Sequence, residues 1–434
     1  MLGYDPWLTV IARGNRIELR TGAATHAWQD DPLAALRQVL HRYRIPQVSQ
    51  PHGRAIGLMG WLSYDLNRWI ERLPEPQPSG CAIPEMAWFG MRTVVLVDHL
   101  QQRSWLLGIA DPHAPAPLAR RDAQETLERL TARLGGAGDS VAAAEPDPGG
   151  STAIAATSSQ AEFEATVECV LEHIRAGDIF QANVSQRFTA AWRGGALPLY
   201  GALRRINPSP FACFLSAEGV AVASCSPERL VRVQDGRAET RPIAGTRPRG
   251  ATPQEDTLNG LELLLSEKER AEHIMLVDLA RNDLGRICRP GTVGAAEVMT
   301  LEAYSHVIHI VSEVSGLLRR GVDSADVIRA VFPGGTITGC PKVRCMEILR
   351  AVEPVARGLY TGSLGYLGFD GTLDLNIAIR TLVMQAGRLS FHVGAGIVAD
   401  SIPEREYQET LAKAGALIGA LHAVQAEGVS HAAR

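Results

Sequence analysis

No stretch of this chain approaches the roughly eighteen consecutive apolar residues that a membrane-spanning helix requires, so no span is expected. Neither sign of charge dominates. The formal net charge is −4 and no dense run of basic residues appears, which argues against a nucleic-acid partner. Cysteine is sparse: seven residues (Cys81, Cys169, Cys213, Cys225, Cys288, Cys340 and Cys345), odd in number, scattered and without a C-x-x-C pair. That pattern fits free thiols in a reducing compartment better than disulfides or zinc. The first residues, MLGYDPWLTVIARGN, lack a basic segment followed by an apolar core and a small-residue cleavage site. No export signal is read, and a cytoplasmic location is expected.

What is present is an ordinary globular composition, 46% hydrophobic and 21% charged over 434 residues, enough to bury a sizeable core. One shift in composition divides the chain. From about 134 to 160 it reads LGGAGDSVAAAEPDPGGSTAIAATSSQ, small and rich in Pro and Gly, without a hydrophobic period. The expected organisation is an N-terminal region over 1–133, a linker over 134–158 and a second domain over 159–426. Before the linker, WLTVIA (7–12), RIELRT (16–21) and RTVVLVDH (92–99) read as strands, and 31–44 and 124–134 as amphipathic helices. After it, 159–178 reads as a helix capped by Ser159. GVAVASCS, RLVRVQ, SLGYLGF, LNIAIRTLVMQ and LSFHVGAGIVA follow as strands, HIMLVDLA as a helix, and a final helix spans about 403–424. Strands and helices mix without a regular βαβ beat, so the expected class is α+β.

Several groups carry possible chemistry. Glu269/Glu272 and Glu406/Glu409 are each spaced three apart on predicted helices and so share a face, with Lys413 one turn beyond the second pair. Four convergent carboxylates suit a hard cation such as Mg²⁺, although most helical Glu pairs are solvated faces. FPGGTITGCPKVRCMEIL (332–349) places Gly334, Gly335 and Gly339, with Thr336 and Thr338, ahead of a helix with Pro341 at its start and Lys342 and Arg344 behind. This is either an anion cradle or a tight turn capping a helix. It lacks the Gly-Lys-Ser/Thr ending of a nucleotide phosphate loop. Gly394 and Gly396 in FHVGAGIVADS can expose backbone N–H groups to a carboxylate, but no third Gly opens a helix there, which excludes a dinucleotide fingerprint. Glu228 in CSPERL is a possible general acid or a surface Glu, and Gly245-Thr246 a polar backbone contact or a turn. Arg380, closing LNIAIRT, is either an anion anchor or a strand-end charge. His309, in an apolar run, reads first as a satisfied core histidine.

In their joint order, GDIFQANVSQRF, SPERL, PIAGTRPRG, KERAEHIMLVDLARNDLGR, PGGTITGCPKVR, GSLGYLGFDG, IAIRT and GAGIVADS…EYQET resemble the chorismate-utilising enzymes over 160–425. That family comprises anthranilate synthase component I, aminodeoxychorismate synthase component I, isochorismate synthase and salicylate synthase. The segments 60–76 and 83–99 resemble it more loosely. The resemblance implies a large four-layer α/β/β/α fold with mixed, mainly antiparallel sheets. It also implies Mg²⁺ held by Glu272 and Glu409 with Glu269 and Glu406 completing the shell, the metal holding the ring carboxylate. Arg380 and Tyr360 would anchor the enolpyruvyl carboxylate, with Thr246, Thr336, Gly394 and Gly396 lining the pocket and Lys413 adding positive charge. Glu228 would protonate the departing C4 hydroxyl, and His309 would sit beside the reacting ring.

Water-using members carry a Lys base where this chain has Gln181, and an amide cannot deprotonate water, so ammonia is the expected nucleophile. The chain has no G-x-C-x-G cysteine with downstream His and Glu, so a separate glutamine amidotransferase subunit is implied. Amination at C4, as in aminodeoxychorismate synthase component I of p-aminobenzoate and folate biosynthesis, is favoured by SPER, by DLNIAIRT and by the absence of an L-L-E-S segment. The alternative is amination at C2 with loss of pyruvate, as in anthranilate synthase component I of tryptophan biosynthesis. Ala244 speaks for that alternative, because it stands where many aminodeoxychorismate synthases have Lys.

Overall fold

The computed structural model describes the chain apart from residues 23, 48–54, 76, 79–81, 111–113, 137–152, 305–306 and 433–434. The centre of the expected linker therefore lies outside the described residues. Two sheets carry the fold, one of 13 strands and one of 7. From edge to edge the larger runs Ile243–Pro248, Val307–Leu317, Arg237–Thr240, Arg229–Gln234, Leu373–Asn376, Ser363–Gly368, Gly57–Leu62, Met86–Asp98, Leu2–Arg13, Arg16–Thr21 and Ala24–Gln29. Gly294–Ala303 pairs beside Val307–Leu317, and Arg103–Gly108 beside Met86–Asp98. The smaller sheet runs Gly339–Cys340, Gln181–Ala191, Arg388–Ile397, Thr381–Gln385, Val220–Ser226 and Phe211–Ala217, with Ala155–Ala156 beside Gln181–Ala191. The N-terminal strands belong to the larger sheet: Gly57–Leu62 pairs with Ser363–Gly368, antiparallel, so the two halves of the chain share one set of backbone hydrogen bonds.

Burial arranges these sheets in four layers. Helices Pro32–Arg42, Glu267–Gly285 and Ser324–Val331 cover the outer face of the larger sheet, where Leu36, Val39, Val277 and Ile328 pack with Leu8, Val10, Leu58 and Leu375. Between the sheets, Ile11, Trp61, Phe89 and Leu364 meet Val220, Val222 and Val383. Helices Ala196–Ile206 and Pro403–Ala432 close the far side, with Leu199, Leu203, Leu417 and Leu421 on Phe188, Leu382 and Phe391. The fold is α+β and four-layered. Val10 faces the helices while Ile11 faces the other sheet, which is why WLTVIA is apolar without alternation.

Local chemistry sets the element ends. Asp31 accepts from the amides of Leu33 and Ala34 to start Pro32–Arg42. Ser159 and Glu162 form a reciprocal capping box ahead of helix Gln160–Arg175. LNIAIRTLVMQ, expected as one strand, is two: Leu373–Asn376 in the larger sheet and Thr381–Gln385 in the smaller. The break falls at Ile377–Arg380, where Arg380 takes φ +50, a left-handed conformation outside the range of regular strand. Both sides of the break are buried, so hydropathy carries no mark of the change of sheet.

Candidate active site

Two of the points where the chain passes between the sheets are neighbours, and each carries a candidate residue. The first runs from Val220–Ser226 through Pro227 and Glu228 to Arg229–Gln234; the second is Ile377–Arg380. They are tied together: Ile377 N donates to Glu228 O at 3.0 Å, and Ser226 Oγ donates to Ile377 O at 2.6 Å. Glu228 is 5% exposed. Burial pushes its carboxyl up to about 7, against the lowering effects of a Thr336 hydrogen bond (Oγ1 to Oε1, 2.8 Å), the Ile243 amide and the Arg380 charge. A carboxyl with this pKa is suited to donating a proton near neutral pH. Arg380 donates to Asn207 Oδ1 at 3.2 Å, and burial lowers its pKa from the ordinary value.

His309 lies opposite Thr246 in the pairing of Ile243–Pro248 with Val307–Leu317. Its Nδ1 is 3.0 Å from Gly245 O and 3.1 Å from Thr246 Oγ1. A carbonyl can only accept, so the contact with Gly245 places the ring proton on Nδ1 and leaves Nε2 with its lone pair. Burial lowers the imidazole pKa, which keeps the ring neutral. His309 is thus both a satisfied buried histidine and a positioned one.

Glu269 and Glu406 lie in the first turns of two helices, Glu267–Gly285 and Pro403–Ala432, where the helix dipole favours negative charge, and Glu272 and Glu409 follow one turn further along. Gln181 Nε2 donates to Glu272 Oε1 at 2.9 Å. Glu269 pairs with Arg247 at 3.3 Å and Glu409 with Lys413 at 2.7 Å. Lys413 Nζ also donates to Gly394 O at 2.9 Å, which joins the second helix to strand Arg388–Ile397. Among the described residues, no three His, Cys, Asp or Glu side chains stand close enough together to hold a metal as they are. The charge distribution nonetheless suits a cation. Burial raises the pKa of Glu272, and Glu269 and Glu409 raise it further; burial also raises that of Glu406, with Glu409 adding to it. Carboxylates that repel one another across two helices form a hard-oxygen donor set, two of its members also meeting a cation, Arg247 or Lys413.

Two glycines of that strand have no room for a side chain. A Cβ on Gly394 would lie 2.6 Å from the Tyr360 hydroxyl and 2.8 Å from Val184 O, and one on Gly396 would lie 2.9 Å from Gln181 Nε2. Tyr360 is buried, and Asn183 Nδ2 donates to its hydroxyl at 3.4 Å. Gln181 is 3% exposed, and its Oε1 has no hydrogen-bond partner among the described residues.

The glycine loop departs from expectation in its basic residues. Lys342 turns away to the buried Asp283 (2.6 Å) and to Val331 O, and Arg344 pairs with Asp178 and Glu347. Neither faces the loop as an anion ligand would. The contribution of the loop is Thr336, bonded to Glu228.

Sequence reasoning overlooked Lys268. The chain has three lysines among its 43 Lys and Arg residues, and all of them fall around this cleft. Lys413 contacts Glu409, Lys268 exerts its charge on both Glu272 and Glu406, and Lys342 bonds Asp283, which lines one cavity with Glu228 and Thr336. The scarcity of lysine was a signal available in the composition.

Similarity to known proteins places the chain in a family. A match to the chorismate binding enzyme family spans residues 4–419, and the chain belongs to that family. An anthranilate synthase component I-like protein of Synechocystis is 45% identical over 87% of this chain and 74% of its own length. Aminodeoxychorismate synthase component 1 of Bacillus subtilis is 39% identical over 98% of this chain and 89% of its own. The crystal structure of anthranilate synthase component I from Streptococcus pneumoniae superposes with a TM-score of 0.84 at 32% identity, covering 96% of this chain and 91% of that one. The menaquinone-specific isochorismate synthase of Escherichia coli, at 18% identity, 96% and 89% coverage and a TM-score of 0.68, shares the fold. The protein is a chorismate-utilising enzyme. No helix among the described residues is long and apolar enough to cross a membrane.

Proposed function

We propose that this enzyme aminates chorismate with ammonia in a Mg²⁺-dependent reaction, the ammonia coming from a separate glutamine amidotransferase subunit. The observation that carries this reading is Gln181. Its Nε2 is committed to Glu272, and its buried Oε1 has no partner among the described residues. An amide oxygen can accept from an N–H of ammonia, which needs no base before it attacks. A water nucleophile would need a base here, and an amide is none.

Glu228, protonated below about 7, donates its proton to the departing C4 hydroxyl, which is a poor leaving group as hydroxide. Arg380 and Tyr360 hold the enolpyruvyl carboxylate, with Gly394, Gly396, Thr246 and Thr336 forming the walls, and Lys413 supplies positive charge toward the ring carboxylate. Glu269, Glu272, Glu406 and Glu409 would hold Mg²⁺, which would neutralise that carboxylate.

The first reading of the product is 4-amino-4-deoxychorismate. Ala244, 7% exposed, offers no side-chain amine to attack C2, so ammonia itself must supply the new bond. The same residue favours a second reading, ammonia attack at C2 followed by loss of pyruvate to give anthranilate. The names of the relatives support each of the two. Purified protein incubated with chorismate, Mg²⁺ and ammonium, with and without an added aminodeoxychorismate lyase, decides the product. Lyase-dependent p-aminobenzoate is the expected result, and direct anthranilate fluorescence would establish the second reading. If chorismate is not consumed at any ammonium concentration, the amination reading is wrong.

A further inference from the structure

Below the cleft lies an ion pair that none of the roles above uses. Arg357 is 3% exposed and Glu353 5%. Arg357 Nε and NH2 donate to the two carboxylate oxygens of Glu353 at 2.8 and 2.7 Å. The remaining N–H groups are also assigned: NH1 to Ile337 O at 3.0 Å and to Thr361 Oγ1 at 3.2 Å, and NH2 to Asn183 O at 2.5 Å. All five donors of the guanidinium are therefore satisfied in one plane. Glu353 Oε1 in turn accepts from Ser185 N at 2.9 Å and Ser185 Oγ at 2.8 Å. The guanidinium also lies over two rings, 4.8 Å from the centroid of Tyr64 and 5.6 Å from that of Tyr360.

The segments it gathers are the walls of the cleft. Asn183 and Ser185 belong to Gln181–Ala191, the strand that begins with Gln181. Ile337 follows Thr336 in the turn Gly335–Ile337, whose hydroxyl bonds Glu228. Thr361 follows Tyr360. We propose that Arg357, held by Glu353, is a positioning residue that fixes the nucleophile side (Gln181), the acid side (Thr336 and Glu228) and the carboxylate anchor (Tyr360) relative to one another. Burial works against the Arg357 charge, but the Glu353 carboxylate outweighs it and keeps the guanidinium pKa above its ordinary value. Lysine keeps the charge but has three donors on a flexible stem, so it cannot reproduce five bonds in a plane.

The inference rests on chorismate as substrate, not on which product forms. Its test compares wild type with Arg357→Lys, using Arg350→Lys as the control. Arg350 is another buried arginine, bonded to Asn67 Oδ1 and Pro74 O and to none of the residues of the cleft. Two readouts are taken well below each variant's Tm: chorismate affinity by calorimetry, which needs no turnover, and the pH dependence of chorismate consumption. Glu228 is faced by Thr336, the Ile243 amide, Arg380 and Tyr304, and the Thr336 bond lowers its pKa. Loss of the Ile337 anchor loosens that bond. The expected result for Arg357→Lys is about tenfold weaker chorismate binding and an alkaline limb moved to higher pH, with Arg350→Lys unchanged in both. Should Arg357→Lys fail to fold, Glu353→Gln, which keeps the shape but not the charge, is read in the same way. A folded variant with a lower Tm but wild-type affinity and an unmoved limb would overturn the positioning role. If wild type binds chorismate without consuming it, the amination reading fails while the affinity comparison still decides this one.

Discussion

The Thr336 hydroxyl donates to Oε1 of Glu228 across 2.8 Å, joining the glycine loop to the point where the chain passes from the smaller sheet to the larger. The bond favours the ionised carboxylate, while burial, the larger effect, favours the protonated one and sets the pKa at about 7. The proton needed by the leaving group is present below that value and lost above it. At constant free NH3, which removes the titration of ammonium itself, kcat for chorismate consumption should fall as pH rises through about 7. Thr336→Val removes the lowering bond, so its limb should lie at higher pH. A limb that stays in place in Thr336→Val would assign the proton donor to another residue. The effect on stability has the same sign. The folded pKa exceeds the ordinary 4.5, so the contribution of Glu228 is complete below 4.5 and is lost as pH rises through about 7.

The two Glu pairs make a prediction about metal. Glu272→Gln and Glu409→Gln should each reduce turnover by roughly 100-fold or more, with a higher Mg²⁺ concentration needed for half-maximal rate. Removal of Mg²⁺ with a chelator should abolish wild-type turnover and lower its Tm. Mg²⁺ titrations of rate and of Tm check both points, and an unchanged Mg²⁺ requirement in either variant would dismiss that residue as a ligand.

These residues differed in how legible they were. The Glu pairs stood out because a spacing of three marks one helical face, and the helices that carry them, capped by Ser266 in one case and opened by Pro403 in the other, are local features. The Ser159–Glu162 box and the Asp31 cap were legible for the same reason. Arg380 was singled out as a candidate anchor, but its backbone conformation was not foreseen: an apolar run continues through the break because both sheets bury it. The pairing of Gly57–Leu62 with Ser363–Gly368 depends on contacts across some three hundred residues, which no local period encodes. Arg357 and Glu353 were missed because charged residues in a Pro- and Gly-containing turn, AVEPVARGLY, read as surface. Only the closed set of hydrogen bonds reveals that they are interior.

Gln181 predicts a change in the demand for ammonia. Gln181→Met keeps much of the volume but removes both the bond to Glu272 and the free acceptor. The KM for ammonia should rise about tenfold or more, and the KM for chorismate should change less. Initial rates over a grid of both substrates separate the two effects. An equal rise in both KM values would mean that Gln181 serves the whole pocket through Glu272 rather than the nucleophile.

Gly394 offers the sharpest steric test, since one of its close neighbours is main chain. A methyl there would lie 2.8 Å from Val184 O, which cannot move without displacing strand Gln181–Ala191, and 2.6 Å from the Tyr360 hydroxyl. Tyr360 cannot easily retreat: its ring stacks on His392 at 5.2 Å, and the Arg357 guanidinium lies over it. Gly394→Ala should therefore cost about 1–3 kcal/mol of stability from overpacking. It should also lower kcat/KM for chorismate by more than tenfold, because the strain is relieved by moving Tyr360, the proposed carboxylate anchor, and the strand that carries Gln181. Gly396→Ala meets only the Gln181 side-chain amide at 2.9 Å. It should be milder in stability and selective for ammonia. Thermal melts and two-substrate kinetics on the pair distinguish a wall built of backbone from one built of a movable side chain. Equal losses of stability in the two variants would contradict that division.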